Sequence, residues 1–268
     1  DWSSDVCSSD LLNLFGGAIT NLTSLNGPTN GTLTLVGTGS DWRTGSFSAS
    51  TGGTLSLVVS AGADLLISTT ADHAFNGSAI VINGAANWTG GRLTSGSGGT
   101  FTVGSSGTFY DSASSSITNP GFGGSFTFRN DGTYTKSAPG TTTVAGASFI
   151  NTGQLNVQAG ILRLEGTSSF ASTSTVTVGS GASLQFASDI SVADAAVLSG
   201  QGTFLLTAGT LSLDGLFTAA GGFTQSGGIL IGTQTFGSSV NWTGGTWGSG
   251  GLTTIAAGGT LAINSGNP

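Results

Sequence analysis

From Leu155 onward the apolar residues recur at a short step. Leu155, Leu162, Phe170, Val176, Leu184, Ile190, Val197, Phe204 and Leu211 are separated by 7, 8, 6, 8, 6, 7, 7 and 7 positions, a mean of 7.0. A coiled coil also repeats every seven residues, but it needs strong helix formers with charged flanks. Here glycine falls between most anchors and charges are scarce. Within each segment the pattern alternates instead: Leu155-Asn156-Val157, Leu162-Arg163-Leu164, Val176-Thr177-Val178, Leu184-Gln185-Phe186 and Leu211-Ser212-Leu213. Alternation by two marks a strand with one buried face. The pattern predicts strands of about three to five residues joined by turns of about two to four.

The turns carry their own signature. Val59–Leu65, Val178–Leu184 and Ile255–Leu261 share one form, with Gly62, Gly181 and Gly258 at the bend. Val103–Phe109 keeps the spacing with its glycine at 107, and shorter versions bend at Gly160 and Gly209. Glycine is expected at such positions because it accepts φ > 0 without steric cost. A longer repeat overlies this one. Asn87-Trp88-Thr89-Gly90-Gly91 returns as Asn241-Trp242-Thr243-Gly244-Gly245, 154 residues later, and Asp41-Trp42-Arg43-Thr44-Gly45 precedes the first by 46. Three strands per coil give about 21–23 residues per rung, so 46 reads as two rungs and 154 as seven. The chain is therefore expected to be all-β, a parallel β-helix of about 12 rungs with inward ladders of Leu, Val, Ile and Phe. The competing fold is a β-sandwich or barrel, whose strands are longer and whose turn signals come every 8–12 residues.

Composition narrows the class further. The 268 residues include 48 Gly, 39 Ser and 40 Thr, which is hostile to helical bundles. Strict Gly-X-Y periodicity is absent, which excludes collagen. Hydrophobic residues at 37% argue against a disordered linker. Net charge is −7, and the bases Arg43, Arg92, Arg129, Lys136 and Arg163 are scattered, so no nucleic-acid footprint is expected. The sequence has no apolar run long enough to cross a bilayer as a helix.

The opening residues differ in style. Residues 1–10 hold three of the 12 acids and the single cysteine, Cys7, without a basic or apolar leader region. The string DWSSDVCSSDL resembles a translated sequencing adapter. Residues 1–11 are accordingly expected to be an artefact or a disordered tail. Residues 12–268 read as one continuous array, a fragment of a longer chain.

The runs Asn87–Gly91, Phe128-Arg-Asn130-Asp-Gly132-Thr-Tyr-Thr-Lys136-Ser137 and Phe149-Ile-Asn151-Thr-Gly153-Gln-Leu-Asn-Val157-Gln-Ala-Gly160 carry a family likeness. They resemble the repeat regions of autotransporter-passenger-like and filamentous-haemagglutinin-like β-solenoids of bacterial surfaces, over roughly residues 30–268. The resemblance implies secretion to the cell surface and a structural stalk or adhesin role. Translocator barrel, secretion domain and enzymatic insert, all features of that family, are absent from the sequence.

Candidate chemistry is thin. His73, the only histidine, is expected in a solvent-exposed loop, and with one distant Cys it cannot build a zinc site. A polysaccharide lyase or glycosidase, the enzymatic alternative, needs converging carboxylates or a carboxylate with a base. The candidate pairs are Asp41 with Arg43, Asp64 with Asp72, Arg163 with Glu165, and Asp189 with Asp194. Each has an ordinary reading as a surface ion pair or turn former. No calcium-binding nonapeptide or EF-hand loop is present. No catalytic, metal or cofactor site is therefore expected. Trp42, Trp88, Trp242 and Trp247 are the candidate contacts to surface glycans, against the simpler reading that each covers a turn or a core layer. Thr-x-Thr pairs at 32/34, 100/102, 133/135 and 175/177 are too irregularly spaced for an ice-binding face. The third reading is a passive spacer with no ligand.

Overall fold

The computed structural model describes residues 30–49 and 53–264, with two further strands at Leu11–Leu14 and Ser24–Gly27. Of the expected artefact or tail at residues 1–11, residues 1–10, including Cys7, lie outside the described residues, and Leu11 opens the strand Leu11–Leu14. Every regular element described is a strand of two to six residues. The described residues fall into two compact units. One runs to Tyr134 with Ala145–Ser148, and the other comprises Thr135–Val144 with the residues from Phe149 on. The fold is a parallel β-solenoid of about 11 turns, roughly 21 residues each. The β-sandwich alternative is thereby excluded.

In the first unit, one rung consists of Ala79–Ile82, Ala85–Trp88 and Leu93–Thr94. The next consists of Thr100–Val103, Thr108–Asp111 and Ser116–Thr118. Parallel pairing sets Phe101 on Ile80, Val103 on Ile82, Phe109 on Ala86 and Ile117 on Leu93. Like side chains thus stack inward, one rung above another, while the ladder satisfies the backbone. Trp42 and Trp88 both pair with Ile67, so the 46-residue spacing is two rungs of one column. From Thr100 to its partner Thr127 the turn takes 27 residues. The excess lies largely in the 119–125 loop, where Asn119 Oδ1 accepts from the amides of Gly121 and Phe122, and Asn119 Nδ2 donates to Gly124 O.

In the second unit the anchors form continuous columns. Leu162, Leu184, Phe204, Phe223 and Val240 are successive register partners, all at most 1% exposed. Phe149, Phe170, Phe186, Phe204, Phe217 and Phe223 run as a chain of ring contacts, with centroids 5.1–6.4 Å apart. One expected anchor is wrong. Val197 is 49% exposed, and its neighbour Leu198 is the inward residue at 2%. Two adjacent apolar residues offered the choice, and the register decides it by setting Leu198 beside buried Val176 and Val197 beside exposed Thr175.

The turn signature is borne out in its backbone angles. Gly62, Gly181, Gly258, Gly160 and Gly209 all have positive φ, between 66° and 88°. In the first three, a tight turn closes from Ala63 N to Ser60 O, Ala182 N to Gly179 O and Gly259 N to Ala256 O. Gly107 plays another part. Its N–H closes the turn onto Gly104 O at 2.7 Å, so it stands where Ala63 and Ala182 stand and does not replace Gly62. The turn Ala193–Ala196 puts an alanine in the left-handed position, with Ala195 at φ 68°. A Cβ there is strained by about 1–2 kcal/mol, part of which glycine returns through its freer unfolded chain. Ala195→Gly is therefore expected to stabilise the second unit by about 0.5–1 kcal/mol, read as a higher urea midpoint at unchanged slope.

Candidate functional site

The recurring tryptophans sit at the ends of strands whose turns are built alike. After Trp88, the amide and Oγ1 of Thr89 both donate to Ile67 O, at 2.8 and 3.3 Å. After Trp242, the amide and Oγ1 of Thr243 donate to Gln225 O at 2.8 and 3.2 Å. The paired glycines then let the chain press onto the rung beneath. A Cβ on Gly90 would lie 2.3 Å from Thr69 O, and one on Gly244 would lie 2.6 Å from Ser226 O. The motif is a rung-stacking turn.

Side-chain placement corrects the glycan expectation for two of the four tryptophans. Trp42 is 2% exposed and Trp88 0%, so neither presents a ring face to a sugar. They point inward because they are the last inward positions of their strands, in one column with Ile67. Trp88 stacks on Phe109 at 6.1 Å, and its Nε1 donates to the carbonyls of Gly90 and Gly91. Trp242 and Trp247 are partly exposed and stacked on each other, centroids 5.1 Å apart at 17°. Trp247 Nε1 donates to Gln225 Oε1 at 2.8 Å, and Gln225 Nε2 donates to the carbonyls of Gly228 and Thr246. That buried amide fixes the orientation of the Trp247 ring. Other exposed aromatics are Tyr110 at 44% and Phe122 at 39%.

The charged candidates do not gather. Arg43 lies 3.7 Å from Asp41, and Arg163 lies 2.6 Å from Glu165, as surface pairs. Asp64 and Asp72 are engaged separately: Asp64 accepts from Gly39 N, while Asp72 grips Arg92 through both oxygens at 2.5 and 2.8 Å. That guanidinium holds the Asp72 carboxyl below its usual range. Asp189 accepts from Thr210 N in the following rung, and Asp194 from Ala195 N in its own turn. Asp214 likewise accepts from Thr233 N. Among the described residues no group of three metal-binding side chains occurs. The Thr-x-Thr pairs differ in their surroundings, from part-buried Thr100 and Thr102 to exposed Thr175 and Thr177 and buried Thr135.

Two buried polar positions escaped the sequence reading. Asp111 is fully buried and accepts the phenolic proton of buried Tyr134 at 3.0 Å. Burial, followed by the nearby carboxylate, pushes the Tyr134 hydroxyl well above its ordinary pKa. Lys136 is also fully buried and donates to Ala138 O at 3.0 Å. The signal was present in the alternation: Asp111 is two residues from inward Phe109, on the same strand face.

His73 is the plainest correction. It lies on a strand with 0% exposure. Its column partners are Gly45 and Leu93, and its ring stands edge-to-face with Trp42 at 5.2 Å. The absent side chain at Gly91 leaves the space that the imidazole fills; a Cβ there would lie 2.8 Å from its Cε1 and 2.9 Å from its Nδ1.

No family model, curated protein or solved structure matches the chain. The protein is defined by its architecture, a parallel β-solenoid whose polar groups serve its turns.

Proposed function

We propose that this chain is a non-catalytic structural stalk or adhesin segment of a large, secreted bacterial surface protein, of the autotransporter-passenger-like kind. One observation carries the reading. The sequence devotes its apolar residues to stacked inward columns, and its candidate carboxylates to turn amides and local ion pairs. Such a solenoid works by geometry: rung stacking gives stiffness, and short turns give proteases little purchase. Contact with surface glycans is assigned to the stacked pair Trp242 and Trp247. These two candidates have partly open rings, and indole faces stack on the apolar faces of sugars.

The test uses the chain on immobilised neutral and acidic polysaccharides. Retention that falls at least tenfold in Trp242→Ala/Trp247→Ala, with an unchanged far-ultraviolet spectrum, is the expected result. No retention on any glycan would reduce the role to a passive spacer. Release of new reducing ends or unsaturated sugars above a heat-denatured blank would overturn the non-catalytic reading in favour of a lyase or glycosidase.

A further inference from the structure

The corner between Asp64–Ile67 and His73–Ala74 combines features that no structural requirement of a solenoid turn demands. The protein's single imidazole is sealed in it. His73 Nε2 contacts Ser68 O at 2.9 Å, and Nδ1 is buried with no hydrogen-bond partner. Among the described residues the ring against it is the indole of Trp42, whose own Nε1 is also buried without a partner. The corner is strained as well: Thr69, a β-branched residue, sits at φ 75°. Its Oγ1 bonds the Arg43 carbonyl, and Ser68 N bonds Trp42 O at 3.1 Å. Imidazole, indole and strained turn are thus one contact set.

We infer that this corner is an acid-sensitive latch, held shut by a neutral His73 and released when a proton arrives at its second ring nitrogen. A neutral imidazole with Nε2–H satisfies Ser68 O and leaves Nδ1 as an unprotonated nitrogen without a partner. An imidazolium adds a buried charge, and its desolvation outweighs what the backbone groups of Ser68, Trp42, Arg92 and Arg43 around the ring return to it. The charged groups around it do not restore the balance. Asp72, the residue before it in the chain, is held by Arg92 from the next rung and is 43% exposed. Asp41 accepts from Ser68 Oγ at 2.7 Å and also faces Arg43.

Burial accordingly lowers the His73 pKa below 6.5 in the folded state. In an open corner the imidazole regains its ordinary value. The open form then binds more protons below pH 6.5, so the latch is fully closed above that pH. It loses stability as pH falls from 6.5 towards the folded value.

Hydrogen exchange on the whole chain at pH 7.5 and 5.5, corrected for intrinsic exchange chemistry, tests this. The amides of Ser68, His73 and Phe75 bond Trp42 O, Arg92 O and Thr94 O. Their opening is expected to rise at pH 5.5, by up to about tenfold, while amides of residues 183–206 change less than twofold. His73→Phe should remove that rise. Should the variant not fold, following the imidazole ring protons of the wild-type chain by magnetic resonance decides alone. A folded-state midpoint at or above 6.5, or opening that is the same at both pH values, would overturn the latch. Neither outcome bears on the glycan reading, which concerns residues of the other unit.

Discussion

Replacing Trp88 with alanine is expected to lower the stability of the first unit by about 3–5 kcal/mol. The ring is 0% exposed, is stacked on Phe109, and anchors its own turn through Nε1. Its removal leaves a cavity in a column where Ile67 lies on one side and Asp111 on the other, so collapse is restricted. The Asn-Trp-Thr-Gly-Gly turn also loses the indole donor to Gly90 O and Gly91 O. Urea unfolding followed by far-ultraviolet circular dichroism measures the loss. A change under about 1 kcal/mol would mean that the column is not close-packed at this rung. The same change at Trp242, partly exposed, should cost distinctly less.

Gly107→Ala is expected to be nearly as damaging, at about 3–4 kcal/mol, although it adds one methyl group. A Cβ at Gly107 would stand 1.9 Å from Ile82 O and 3.1 Å from Gly104 O. Both are backbone atoms; Ile82 O already accepts from Gly104 N, and Gly104 O closes the turn. Relief therefore requires the rungs to part. Gly181→Ala is the control. Gly181 has φ 76° but nothing within 4 Å of its Cβ position, so its cost is backbone strain alone, about 1 kcal/mol. Paired denaturation curves separate the two kinds of glycine. Equal losses would show that close approach between rungs is not what glycine supplies at 107.

Much of the fold was legible because its period is short. Many four-residue strands contribute two inward residues, and two-residue alternation identifies Leu162 with Leu164 or Leu184 with Phe186 without knowledge of any partner. The sugar-binding expectation failed at Trp42 and Trp88 for a related reason. Both obey the same alternation, which places them inside, and their Asn/Asp and Gly neighbours suggested a surface turn instead. At His73 the strand has only two residues, too short to show any alternation. Nothing local could reveal that Gly91 makes room for an imidazole there.

The order of residues alone determined an all-β chain, the inward face of most of its strands and the glycines of its left-handed turns. Those properties depend on neighbours two to six positions away. Tertiary structure decided register, and register depends on residues about twenty positions away. It set Leu198 inside in place of Val197, made Gly107 a contact residue, and closed Trp42 over His73. Stacking brings those distant residues to within one strand spacing of each other.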